Sequence, residues 1–282
     1  MATESAPRRL LPRRRSDAVE EETDSDSGRR ARVSAMLERL APAIDVDGPR
    51  VRLGLAWASL TLILAATTTV GLAVVLAGAS MAAAGQAARS WRRSDVKPWR
   101  PVAVLGAALL PLGAAVGPLG VALVAAGIVV AAVIGHRSLD TGDGLRTAAI
   151  ALLFGMAGAS VVLLRTEVGV VAVLAFLFTV HVWDASAFVV GSGANNRWEG
   201  HLAAGASTAA VTLFVAAMLV PPFRGLSPVV LGLVVGLLGP VGPYVGSMVL
   251  GDPTRRAPAV RRLDVLLVAA PVWAVAAAVL LG

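Results

Sequence analysis

From Leu53 onward the chain is a succession of long apolar runs separated by short polar loops. A helix needs roughly 20 apolar residues to cross the hydrocarbon of a bilayer. Leu53–Ala88 is too long for one crossing and predicts a tight pair turning near Gly71; Pro101–Gly135 predicts a second pair turning at Gly117-Pro118. Single crossings follow at Thr147–Leu164, Val168–Val190, His201–Val220, Ser227–Leu250 and Leu263–Leu281, nine in all. The eighth is interrupted by Gly239-Pro240-Val241-Gly242-Pro243. Proline removes a backbone donor and kinks a helix, so this stretch is either a packing kink or a discontinuous helix that shapes a site.

The first 50 residues follow a different pattern. Residues 1–30 alternate arginine clusters with an acidic Ser/Thr stretch from Glu20 to Ser27, and contain almost nothing to bury, which predicts a disordered tail. Leu10-Leu11 is too short for the apolar core of a signal peptide, and Pro and Arg follow at once. Val33, Met36, Leu37, Leu40 and Ile44 recur at helical spacing, so 31–44 predicts a short amphipathic helix in the headgroup region. The chain therefore divides into a tail (1–50), crossings one to five (51–164) and crossings six to nine (165–282).

Composition supports an all-α, polytopic integral membrane protein: 56% of residues are hydrophobic and only 15% charged. The absence of cysteine excludes a disulfide framework, a thiolate metal site and a cysteine nucleophile. The net charge of +7 does not point to nucleic acid, because the tail carries 10 Arg against 10 Asp/Glu and the excess falls in loops between apolar runs. With the N-terminus inside, the loops at 89–100, 136–146, 191–200 and 251–262 hold 12 Lys/Arg, against only Arg165 and Arg224 in the outer turns. That bias places the N-terminus and these four loops in the cytoplasm of a multi-pass cell-membrane protein.

An ionisable residue inside a spanning segment is expensive near lipid, so each is a site candidate. The stretch His181 to Gly200 carries His181, Asp184 and Ser186 at the end of one apolar run. Asn195, Asn196, Arg197, Trp198 and Glu199 follow, with His201 at the start of the next. His181 and Asp184 share a helix face at a spacing of three, as an intramembrane hydrogen bond or as a catalytic or ligand pair. Asp252, Arg255, Arg256, Arg261, Arg262 and Asp264 form a second polar group around the last loop. Asp264 is either a helix-start carboxylate near the positive end of the dipole or a ligand. Carboxylate oxygens suit Mg²⁺ and clustered arginines suit phosphates, a combination that suggests phosphoryl or nucleotidyl chemistry on a lipid.

The order of these motifs resembles the phosphatidate cytidylyltransferase (CDP-diacylglycerol synthase) family. Asp184-Ala185-Ser186-Ala187-Phe188-Val189-Val190-Gly191 is similar to that family's Asp-Thr/Ser-Gly-Ala-Tyr-x-x-Gly, and Arg197-Trp198-Glu199-Gly200 to its Lys-Thr-Trp-Glu-Gly. Arg261-Arg262-Leu263-Asp264 and the apolar helix after it resemble the end of its signature, Asp-Arg-x-Asp. The likeness covers roughly 170–282. Departures are specific: the loop between Gly191 and Trp198 is short and lacks Ser-Pro-x-Lys. Gly242-Pro243-Tyr244-Val245-Gly246-Ser247 stands where the family has Gly-Asp-x-x-Glu-Ser. Val249-Leu250 replaces Lys-Arg, and Arg261 replaces the first Asp of the final motif.

The resemblance implies that CTP and phosphatidate are joined to give CDP-diacylglycerol and pyrophosphate at the membrane. It implies Asp184 and Asp264 as catalytic residues, Asp184, Glu199 and Asp264 as Mg²⁺ ligands, and Arg197, Trp198, Glu199, Arg261 and Arg262 as substrate-binding residues. Asp252 matches no family position. A homodimer is left open. The lost carboxylates and lysines support an alternative, a non-catalytic relative that binds lipid or regulates a partner, and His181 with Asp184 leaves a proton-relay transporter as a third reading.

Overall fold

The computed structural model describes residues 50–91, 97–138, 142–194, 197–251 and 256–282. The tail and its expected amphipathic helix at 31–44 lie outside the described residues, as do Asn195, Asn196, Asp252 and Arg255. Ten helices follow in order: α1 (Arg50–Thr67), α2 (Thr69–Ser90), α3 (Arg100–Ala114), α4 (Pro118–Ser138), α5 (Gly144–Leu163), α6 (Val170–Gly191), α7 (Arg197–Met218), α8 (Ser227–Leu238), α9 (Val241–Val249) and α10 (Pro258–Leu281). A π-helical turn, Leu164–Val168, prolongs α5. No strand occurs among the described residues.

Each break has a local cause. The first apolar run divides at Thr68, not at Gly71: Thr68 takes an extended conformation and its side chain accepts from the Gly71 N–H, capping α2. α3 and α4 turn at Gly117, whose φ of 116° lies in the region open to glycine. Gly113 and Gly120 then bring the two backbones together so closely that a Cβ on Gly120 would strike the Gly113 carbonyl. Asp143 caps α5, accepting from the Arg146 N–H at 2.9 Å. The seventh run starts earlier than its apolar residues suggest, because Arg197-Trp198-Glu199 already form the first turn of α7. The eighth is broken as expected, α8 and α9 meeting at 44° across Gly239-Pro240.

α3 packs most extensively on α5, α6 on α7, and α2 on α3; α10 touches α2, α5, α6, α8 and α9. The helices at 51–164 and those at 165–282 thus share one core within a single compact unit. α5 is the most enclosed helix, with 67% of its most apolar window buried, whereas α4 and α7 bury 22% and present apolar faces outward. Exposed Leu119, Leu123, Leu202 and Leu213 on those faces suit lipid rather than water. Small residues line the contacts of α2, where Ser80 donates to the Phe154 carbonyl at 2.9 Å. Six helices have the length and apolar character to cross a membrane, seven with the bent α8–α9 pair; α1 and α3 are apolar but shorter.

The two ends of the bundle differ. At one end Trp91 donates to the Val249 carbonyl at 2.9 Å and Gly251 N–H to Ser90 at 2.8 Å. There too Ala259 N–H donates to Gln86, Asp143 N–H to the Lys97 carbonyl, and the Arg146 guanidinium lies 4.5 Å over the Trp91 ring. Arg89, Lys97, Arg100, Arg137, Arg146 and Arg256 therefore share this end. At the other, Arg165 donates to the Ala65 carbonyl at 2.7 Å beside the turn that holds Gly117.

Candidate functional site

α10 starts at Pro258, where a missing N–H costs nothing, and its first two turns carry Arg261, Arg262 and Asp264. Arg261 and Asp264 are three apart and share a face. Their side chains pair at 3.1 Å, Nη1 to Oδ2, and Asp264 is only 4% exposed. The same guanidinium donates to the Pro243 carbonyl at 3.2 Å and to Ser247 Oγ at 3.0 Å, so it ties α10 to α9 at two points. Ser247 in turn donates to the Pro243 carbonyl at 2.9 Å.

Glycine makes this approach possible. Gly242 and Gly246 fall on one face of α9: a Cβ on Gly242 would collide with the Asp264 carbonyl oxygen, and a Cβ on Gly246 with Asp264 Oδ1. The position at which the family resemblance expects a Glu side chain is thus a bare backbone, and the carboxylate of Asp264 lies against it. Pro243, at the expected Asp position, contributes a carbonyl that holds Arg261. A guanidinium on oxygen acceptors stands where the resemblance expects acids around a metal.

The second polar group lies on α6 and α7. His181 Nε2 is 2.9 Å from Thr61 Oγ1, linking α6 to α1 through a threonine that is fully buried. Asp184 is half-buried one turn further along α6. Trp198 and Glu199 are exposed on the first turn of α7, Trp198 by 58%. Arg197 opens that helix, and its side chain lies outside the described part. Arg262, half-buried on α10, lies so close to α1 that a Cβ on Gly54 would come within 3.1 Å of its Nη1.

The expected Mg²⁺ set is not brought together. Among the described residues no three His, Asp or Glu side chains form a group able to hold a metal. Asp264 is buried against Arg261 and α9, Asp184 is half-buried on α6, and Glu199 is exposed in the first turn of α7. A divalent cation requires several oxygens at about 2.1 Å, and this donor set does not fit it. Of the residues expected to bind substrate, Arg261 is engaged in the α9–α10 knot, Arg262 is half-buried beside it, and Trp198 and Glu199 are exposed.

Several contributors carried only a weak signal in the sequence. Thr61 is a lone threonine in an apolar run and Ser247 a lone serine four residues after Pro243. Trp183 and Thr208 gave no hint beyond apolar periodicity. Comparison with family models, with curated proteins and with solved structures finds no match. The fold itself defines the class: a helical, multi-pass membrane protein with a basic end and a buried Arg–Asp knot.

Proposed function

We propose that this chain is a phosphatidate cytidylyltransferase-like membrane protein that has given up metal-dependent nucleotidyl transfer and binds anionic lipid at the cytoplasmic leaflet. In this reading the chain crosses the cell membrane nine times, with α1 and α3 as short crossings and α8–α9 as one bent crossing. The N-terminus and the basic end face the cytoplasm, where anionic headgroups attract Lys and Arg by about 1 kcal/mol each. Phosphatidate is then a bound lipid, CTP is no longer a co-substrate, and nucleic acid is not a partner. Homodimerisation fits this reading but is not required by it.

The observation that carries the proposal is the position of Arg261. Joining a lipid phosphate to the α-phosphorus of CTP brings two highly anionic groups together, and a divalent cation ordinarily neutralises and aligns them. Here the carboxylate that would ligate it is paired to Arg261, and the neighbouring acid is Gly246. Arg262 and the exposed Trp198 remain near the basic end, a cation and an amphipathic ring suited to the headgroup level.

The test uses the full chain in liposomes containing labelled phosphatidate, with CTP and Mg²⁺, beside an active member of the family. The proposal expects no CDP-diacylglycerol, together with retention of phosphatidate over phosphatidylcholine that weakens in Arg262→Gln. Product at a rate comparable to the control, abolished by Asp264→Asn in a folded protein, would instead establish the enzyme. Equal retention of the two lipids would remove the lipid-binding half of the proposal.

A further inference from the structure

Away from the Arg261 knot, three buried polar atoms have no hydrogen-bond partner among the described residues: Trp183 Nε1, His201 Nδ1 and Thr208 Oγ1. Trp183 and His201 lie together where α6 meets α7, and Thr208 lies two turns further along α7. The Trp183 and His201 rings stack at 5.9 Å and 25°. Gly239, the residue after α8, meets the same indole, since a Cβ there would come 2.8 Å from Trp183 Nε1. Gly236, one turn earlier on the same face, approaches Thr208, its Cβ position lying 3.9 Å from the threonine methyl. His201 and Thr208 are seven apart and share a face of α7.

The break in α8 adds acceptors at this point. Pro240 has no N–H, so the Gly236 carbonyl lacks its helical donor, and Pro243 does the same to Gly239. Trp183 and Thr208 are each 2% exposed. Buried polar atoms in proteins are almost always satisfied, by the chain or by a bound molecule. Trp183 can only donate, so what completes it must accept; the Gly239 carbonyl freed beside it asks for a partner that also donates.

We propose that this junction is a binding site for a small neutral oxygen, a water molecule or the hydroxyl or ester oxygen of a glycerolipid, held by Trp183 and His201. A phosphate does not suit it: α6 and α8 carry no Lys or Arg, and α7 carries only Arg197 at its first residue. Exposed Trp198, in the first turn of α7, meets His201 edge-on at 6.1 Å. This site is independent of whether the chain transfers nucleotides.

The experiment is an indole ¹⁵N–¹H spectrum of the full chain in lipid nanodiscs. The chain has six tryptophans, and Trp183→Phe assigns the signal. If that variant does not fold, Trp198→Phe at an exposed position leaves Trp183 as the indole that responds to His201→Phe. The proposal expects a cross-peak from the Trp183 indole proton to water or to lipid glycerol protons, the two arms distinguishing the sources. It expects His201→Phe, which keeps a stacked ring but removes the nitrogen, to weaken that cross-peak at least twofold. A Trp183 proton in contact with neither water nor lipid would overturn the site, as would a cross-peak indifferent to His201→Phe.

Discussion

The α9–α10 knot and the α6–α7–α8 junction are both polar islands in an apolar bundle, and they treat their polar groups differently, although the knot too buries one oxygen, Asp264 Oδ1, with no hydrogen bond among the described residues. In the first, a guanidinium meets a carboxylate, a hydroxyl and a carbonyl of its own chain. In the second, an indole, an imidazole and a hydroxyl are buried with no partner among the described residues. A cluster whose cation is answered from within holds helices together; a cluster with spare donors is made to receive something. The residues that most resemble a catalytic motif thus lie in the structural island, and the receptive one is built from residues with no motif at all.

Breaking the knot is the largest test of that contrast. Arg261→Met leaves the Asp264 carboxylate buried without its guanidinium, and removing one partner of a buried pair costs about 3–5 kcal/mol. Thermal unfolding in detergent should show this loss, and the double variant Arg261→Met/Asp264→Leu should recover most of it. Losses that simply add would mean the two side chains do not act as a pair.

Next in size are the glycines that admit Asp264. Gly242→Ala and Gly246→Ala should each cost about 1–3 kcal/mol through overpacking. Gly205→Ala on α7, where a Cβ meets nothing within 4 Å, should be neutral or slightly stabilising by helix propensity. Equal effects at all three positions would remove the claim that bare backbone at α9 is what seats the carboxylate. Thr61→Val, which deprives His181 of its hydroxyl partner, is expected to cost about 1–2 kcal/mol, read from the same melting curves. Arg146→Ala should cost less than about 1 kcal/mol and should matter less as salt rises. The reason is that its contacts, Trp91 and the capping Asp143, are partly solvated. A larger, salt-independent loss would make the basic end a packed core element.

Much of the fold was legible because lipid imposes simple rules. Long apolar runs marked the helices, Gly117-Pro118 marked a turn, and Gly239-Pro240 marked a break. Apolar periodicity misplaced two boundaries by a few residues, at Thr68, where a side-chain cap decides it, and at Arg197, where a polar first turn precedes the apolar run. The site was legible in composition but not in arrangement. His181 was expected to share a helix face with Asp184, in a hydrogen bond or as a catalytic or ligand pair; the linear reading did not reveal Thr61, 120 residues away, which meets its ring nitrogen. Arg261 and Asp264 were singled out as phosphate and metal residues. What a linear reading could not supply is that Gly246 leaves room for the carboxylate and that the Pro243 carbonyl and Ser247 hydroxyl hold the guanidinium. Trp183 and Thr208 became visible only when three helices were placed side by side.

The most direct measurement is a titration of the full chain in liposomes with Mn²⁺, followed by electron paramagnetic resonance of the free ion. If Arg261 occupies the place of a divalent cation, no stoichiometric binding appears, and Asp264→Asn leaves the titration unchanged. One Mn²⁺ bound per chain and lost in Asp264→Asn would contradict it, and would return Asp264 to the role of metal ligand.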